Sequence, residues 1–272
     1  MVLRLGIATY DYLWRYDIEQ TLEHIAKHGF QMIELMSTPP HAWPRDLDKK
    51  KRDHISELLK SYRLQVSALN PTYGDLNLAS PRYTVRRLAI EELKEQIELA
   101  RHLGSKIVVV VPGSRHLVGT PPMEKIWNYS RSGIVELAKF AEDNGIIIGL
   151  ECAPFRFIER AEQLKRMIEE VGSEFVKAVF DTSNTCIVEP LQSSIDIIKD
   201  FIIHVHLADS DCKTWRKLPI GMGSIDFVAV ARALEAIKFQ GISIIELWYP
   251  EAEPDSSALI SKRRLEAIGW RA

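Results

Sequence analysis

Eight short apolar runs alternate with eight longer amphipathic stretches along this chain. The runs read LRLGIAT, QMIELMS, LQVSALN, KIVVVVPG, IIIGLECAP, VKAVFDTSN, FIIHVHLADS and ISIIELWYP. Helix-periodic patterns follow them at 19–28, 46–62, 84–103, 124–144, 160–171, 191–199, 226–239 and about 256–267. Runs that are apolar at successive positions suit strands buried on both faces of a parallel sheet. Eight consecutive units with short connections favour closure, because an open sheet leaves edge strands that need protection. The expected fold is α/β, a (β/α)8 TIM barrel forming a single domain over residues 1–272, close to the ~250 residues such barrels need. Gly29, Gly104, Gly145 and Gly241 precede strands and read as helix C-caps. The chain has no GxGxxG and no Walker sequence, so no nucleotide cofactor is expected.

A hydrophobic fraction of 46% and a charged fraction of 26% are those of an ordinary globular chain. The net charge of -2 gives no basis for a nucleic-acid or anionic-membrane partner. No segment approaches the ~20 apolar residues that span a bilayer, and the N-terminus lacks a secretory signal pattern. The three cysteines, Cys152, Cys186 and Cys212, are odd in number and form no CxxC pair. That reads against a disulfide framework or a cysteine zinc site and fits a reducing, cytoplasmic setting. A homo-oligomer is compatible with all of this.

Four of the runs stop at an acid or an imidazole: Glu151, Asp181, His206 and Glu246. A polar residue ending such a run lies at the C-terminal end of its strand, where parallel α/β folds build their sites. The separations of 30, 25 and 40 residues are each close to one β/α unit, which places the four on the fifth to eighth strands, neighbours around a barrel. Three converging carboxylates repel one another unless a cation neutralises them. The expected cofactor is therefore one divalent metal ion, with Mn²⁺ favoured over Mg²⁺, Co²⁺ or Zn²⁺ by the carboxylate-rich set. His204 shares a strand face with His206 and reads as a hydrogen-bonded interior residue, while Cys152 should point outward into helix packing. Longer strand-to-helix loops carry His41, Trp43, Tyr73, Arg115, His116, Trp215, Arg216 and Lys217, a lining suited to a polyhydroxylated or anionic small molecule.

The motifs GLE at Glu151, FDTSN at Asp181, HVHLAD at His206, PIGMGSIDF ending at Phe227 and IIELW at Glu246 resemble those of the xylose isomerase-like TIM barrels. That superfamily of sugar phosphate isomerases and epimerases includes ketose 3-epimerases, inosose isomerases and dehydratases, and endonuclease IV. The resemblance covers essentially the whole chain. It implies that Glu151, Asp181, His206 and Glu246 bind one divalent metal, and that Glu151 and Glu246 also act as the acid/base pair. The chain departs from ketose 3-epimerases at three positions. It has Asn184 where they carry a histidine, Phe157 where they carry a glutamate, and Cys212 where they carry an arginine. The extra histidines of a trinuclear endonuclease IV site are absent, Asn70 and Asn184 standing in such places.

The expected activity is a metal-dependent isomerisation or epimerisation of a keto- or aldo-sugar or a cyclic polyol by α-proton abstraction through an enediolate. The alternatives are a metal-dependent dehydratase of a keto-polyol and a non-catalytic sugar-binding barrel. Asn184, Glu34, His116, Arg216 and Lys217 are the candidate substrate contacts, with Arg156 as a further cation.

Overall fold

The computed structural model describes residues 2–71, 76–115 and 119–272. Eight parallel strands form its centre: β1 Leu3–Ala8, β2 Met32–Met36, β3 Gln65–Asn70, β4 Ile107–Val110, β5 Ile147–Glu151, β6 Val176–Asp181, β7 Ile202–Leu207 and β8 Ile242–Ile245. Each pairs with the next, and β1 pairs with both β8 and β2, so the sheet closes on itself. This is the (β/α)8 barrel read from the alternation of runs. The covering helices are α1 Ile18–Lys27, α2 Lys49–Ser61, α3 Tyr83–His102, α4 Met123–Asn144, α5 Ala161–Val171, α6 Thr182–Val188, α7 Leu191–Ile198, α8 Phe227–Ala236 and α9 Pro254–Glu266. No helix among the described residues is long and apolar enough to cross a membrane.

Side-chain alternation along the strands divides the core in two. Leu35, Val110, Leu150, Phe180 and Leu207 face outward into the large cluster beneath the helices. Inside the barrel, Ala8, Ile242 and Ile244 form one small cluster and Ala68, Val109 and Val179 another. Immediately above these apolar plugs the same inward face becomes polar, at Glu34, Asn70, Glu151, Asp181, His206 and Glu246, all buried. The barrel therefore changes from oil to charge within one residue layer, a step that fixes where the site lies.

Helix ends follow the local chemistry with one exception. Asp17, Asp48 and Asp226 cap α1, α2 and α8 with their carboxylates. Gly29, Gly104 and Gly145 have φ of 72°, 77° and 65° just after their helices, as C-caps require. Gly241 is different: its φ is not left-handed, and Lys238 at 57° takes that role after α8. Gly241 is needed for space, since a Cβ there would lie 2.1 Å from the Ile203 carbonyl oxygen.

Three features depart from the sequence reading. The segment after Asp181 is helical at once, as α6, and a short β9, Trp270–Arg271, pairs with the start of β1. Cys186 and Cys212 form a disulfide, leaving Cys152 free and buried in the outer core. An odd count with no local motif concealed a pair made by tertiary proximity, between α6 and the loop after β7. The argument for a reducing compartment falls with that correction.

Candidate active site and metal centre

The strand ends bring the four expected ligands together. One ligand atom from each of Glu151, Asp181, His206 and Glu246 lies within 4.8 Å of all the others. His206 Nδ1 is 3.1 Å from Glu246 Oε2, 3.4 Å from Glu151 Oε1 and 3.8 Å from Asp181 Oδ2. None of these contacts is aligned as a hydrogen bond, so Nδ1 is a fully buried polar atom without a hydrogen-bond partner. The other ring nitrogen, Nε2, donates to Glu34 Oε2 at 2.8 Å. Such an arrangement fixes the tautomer and turns the Nδ1 lone pair toward the carboxylates, as in carboxylate–histidine–metal triads. The donor set of three carboxylates and one imidazole fits a divalent ion.

The electrostatics agree. Burial alone would lower His206, but Glu246, Glu34 and Glu151 hold it well above the usual imidazole range. A positive charge is favoured at that point, whether proton or metal ion. Asp181 lies at about 2, since Lys217, His206 and the Asn184 amide outweigh burial. Glu151 is raised, first by burial and then by the Glu246 and Asp181 charges, against the pull of His206.

Lys217 is the second cation. From the loop after β7 its Nζ donates to Asp181 Oδ2 and Glu246 Oε2, and those carboxylates raise it well above its ordinary value despite burial. Asp209 shapes the loop. Its Oδ1 accepts from the amides of Ser210 and Ile225, and its Oδ2 from Gly221, whose φ is 82°. Lys217 thus reaches the cluster from farther along the loop that carries Cys212.

Asn184 and Glu34, the two candidate contacts nearest the cluster, are both hydrogen-bonded to its residues. The Asn184 side chain donates to Glu151 Oε1 at 2.9 Å and accepts from Trp215 Nε1 at 2.7 Å. Its backbone amide caps onto Asp181 Oδ1, so this one carboxylate both starts α6 and faces the cluster. Glu34 receives Nε2 of His204 and of His206 on one oxygen and Asn70 on the other. Asn70 also donates to Glu246 Oε1 at 3.2 Å. Burial raises Glu34, but the two histidines outweigh it and keep it ionised. His204 is the interior hydrogen-bonded residue expected of it.

Above the cluster opens a cavity of about 850 Å³, lined by Tyr10, Trp14, Asn184, Trp215, Lys217 and Trp248 with Arg156, Arg216 and Glu251. Arg216 pairs with Glu251 at the rim, and Arg156 lies over the Trp215 ring at 5.6 Å. Phe157 is buried against Trp127. His41 is enclosed by Thr9, Thr21 and the Tyr16 carbonyl, away from the cavity. Arg115 is exposed, and His116 and Tyr73 lie outside the described residues. Asn70, Asp209 and Tyr10 were missed from sequence. A signal existed for Asn70 alone, which ends an apolar run as the ligands do.

A family model for the xylose isomerase-like TIM barrel matches residues 22–268. The chain belongs to that family. An inosose isomerase of Bacillus velezensis is 29% identical over 254 residues, covering 86% of this chain and 85% of that protein. The crystal structure of a D-tagatose 3-epimerase-like protein superposes with a TM-score of 0.85 at 27% identity, over 98% of each chain. That of IOLI protein with a binding zinc atom gives 0.84 at 23% identity, again over 98% of each.

Proposed function

We propose that this chain is a divalent-metal-dependent isomerase or epimerase of a keto- or aldo-sugar or a cyclic polyol. The observation that carries the reading is Nδ1 of His206, without a hydrogen-bond partner and turned by Glu34 toward three buried carboxylates, below a cavity walled by aromatic rings and lined by their partners Asn184 and Lys217. The named relatives, an inosose isomerase and a 3-epimerase-like protein, support the reaction class. The zinc in the IOLI protein supports the metal. Carboxylate dominance favours Mn²⁺.

Glu151, Asp181, His206 and Glu246 would hold the ion. Once bound it would serve as a Lewis acid for a carbonyl and its neighbouring hydroxyl. The chain's own residues supply the proton transfers. Glu151, raised by burial and like charge, takes or gives a proton at the carbon beside the carbonyl, and Glu246 does the converse from the opposite side. Asn184 fixes Glu151, and Asn70 fixes Glu246, so each oxygen that moves a proton sits on a carboxylate whose other contacts are set. Asp181, held at about 2, stays ionised throughout. Trp14, Trp215 and Trp248 line the cavity and would give the apolar side of a sugar or polyol ring an aromatic surface to pack on.

Turnover in D₂O with Mn²⁺ and a library of ketoses and cyclic polyols, read by proton NMR, tests this. Deuterium should appear on the carbon next to the carbonyl and should vanish with chelator. Absence of exchange in product and in recovered substrate, together with no primary isotope effect from substrate deuterated at that carbon, would remove deprotonation from the mechanism.

A further inference from the structure

The seam where the first β/α unit meets the last carries a second cluster of ligating side chains. His24, in the last turn of α1, and His28, the residue at its C-cap, stand four residues apart and project toward Asp255 in the first turn of α9. His24 Nδ1 lies 2.7 Å from Asp255 Oδ2, and His28 Nε2 lies 3.1 Å from Asp255 Oδ1. The three ligand atoms fall within 4.8 Å of one another, and all three side chains are half-buried.

Three observations separate this group from an ordinary surface ion pair. His28 Nε2 is sealed from solvent yet makes no aligned hydrogen bond, its contact with Asp255 being close but off-line. The nearby cations are engaged elsewhere. Lys262 donates to the carbonyls of His28 and Gly29, and Arg15 pairs with Glu253. Asp255 is therefore compensated by two imidazoles and by the Tyr12 hydroxyl, 3.0 Å from Oδ1. The surroundings also brace the group, with the Tyr16 ring tilted against the His24 ring, centroids 4.5 Å apart.

We propose that His24, His28 and Asp255 form a second divalent-metal site that clips α1 to α9 and so ties the first unit of the barrel to the last. Two imidazoles and one carboxylate, with room for water, select borderline ions such as Zn²⁺, Ni²⁺ or Co²⁺ over Mg²⁺. The strand-end cluster is richer in oxygen and accepts harder ions, so the two sites differ in selectivity.

The test is Zn²⁺ titration of the metal-free full chain at neutral pH, with bound metal counted by elemental analysis and melting followed in parallel. Wild-type should bind two equivalents, Asp181→Ala one, His28→Gln one, and the double variant none. In Asp181→Ala, Zn²⁺ at about a hundred times its dissociation constant should raise Tm by roughly 5 °C, and Mg²⁺ should not. The Zn²⁺-dependent rise should be absent when His28→Gln is added. One equivalent in wild-type and none in Asp181→Ala would overturn the seam site. One equivalent in both would keep the seam site and remove the strand-end metal instead. Two equivalents in a folded His28→Gln, confirmed by circular dichroism, would also overturn it.

Discussion

Both halves of the barrel end their strands in buried polar side chains, yet the two sets do different work. On β2 and β3, Glu34 and Asn70 are bonded into the protein: Glu34 has both oxygens occupied, by two imidazoles and an amide. On β5 to β8, Glu151, Asp181 and Glu246 face one another around His206, and the cation that the fold itself supplies is a lysine on a loop. The difference is one of compensation. A buried carboxylate whose partners are built in becomes a brace, and a set whose negative charge exceeds its partners becomes a binding site.

The largest break in that contrast comes from the second half. Glu246→Gln retains a ligating oxygen but cannot accept a proton, so turnover should fall on the order of 10³-fold, within the range for losing a general acid/base. Asp181→Ala should lose the metal of the strand-end cluster, one equivalent fewer than wild-type by elemental analysis. Near wild-type rates in Glu246→Gln would mean that the ends of β5 to β8 bind without reacting.

Asn70→Ala probes the first half. The amide it removes holds Glu34 and Glu246 together, so kcat/KM should fall roughly 10- to 100-fold, the usual size for a residue that orients a ligand. Asn184→Ala removes the matching brace on Glu151 and should do about the same. If Asn70→Ala is silent while Asn184→Ala is not, β2 and β3 merely fill space.

The contrast also explains what could be read in advance. Eight strands and eight of the helices were legible because apolar runs and amphipathic periods are local, and the strand-end cluster was legible because an acid after IIIGL or VKAVF has few reasons to be there. MIELM shows the same signature at Glu34, and nothing within the run says that its charge is already met by histidines about 170 residues away. The helix α6 was hidden by the polar stretch DTSN, whose first residue caps it. The bonds of Asn184 to Glu151 and Trp215 were hidden because those partners come from other units. Lys217 and the Cys186–Cys212 bond depend on how the long loop after β7 folds over the barrel mouth, which is set by Asp209 and by no short pattern.

Lys217 sharpens the comparison from within the site. Its ammonium contacts the same Asp181 and Glu246 oxygens that a metal ion would share, so the two cations compete. Contact between unit charges is worth about 4 kcal/mol even at an effective dielectric near 20. Removing a third of that tether's influence already shifts affinity about tenfold. Lys217→Met should therefore bind Mn²⁺ at least about ten times more tightly by calorimetry while losing activity on substrate. Weaker binding would show that the lysine helps hold the metal and is no competitor.

The smallest effect lies in the first half, and it concerns stability alone. His41, 2% exposed, is held neutral by burial, which lowers it from 6.5 to about 4 against the opposing pull of the Tyr16 carbonyl and Asp17. Between those two values the unfolded chain binds a proton that the folded chain refuses, so stability rises with pH across the window and falls as acid is added below about 6.5. By pH 5.5 the loss should reach about 1 kcal/mol, roughly 3 °C in melting temperature. His204 is also lowered by burial, so the measurement is the difference between wild-type and His41→Gln at each pH. Glutamine can replace one hydrogen bond to Thr9 or Tyr16 but has no proton to take up, and the gap between the two melting curves should shrink by that amount from pH 7 to 5.5. The shrinkage should be the same with Mn²⁺ and with chelator, because His41 touches none of the ligands. A gap that depends on metal would couple the two halves through the β1 and β2 ends, where Thr9 bonds both His41 and the Met36 amide.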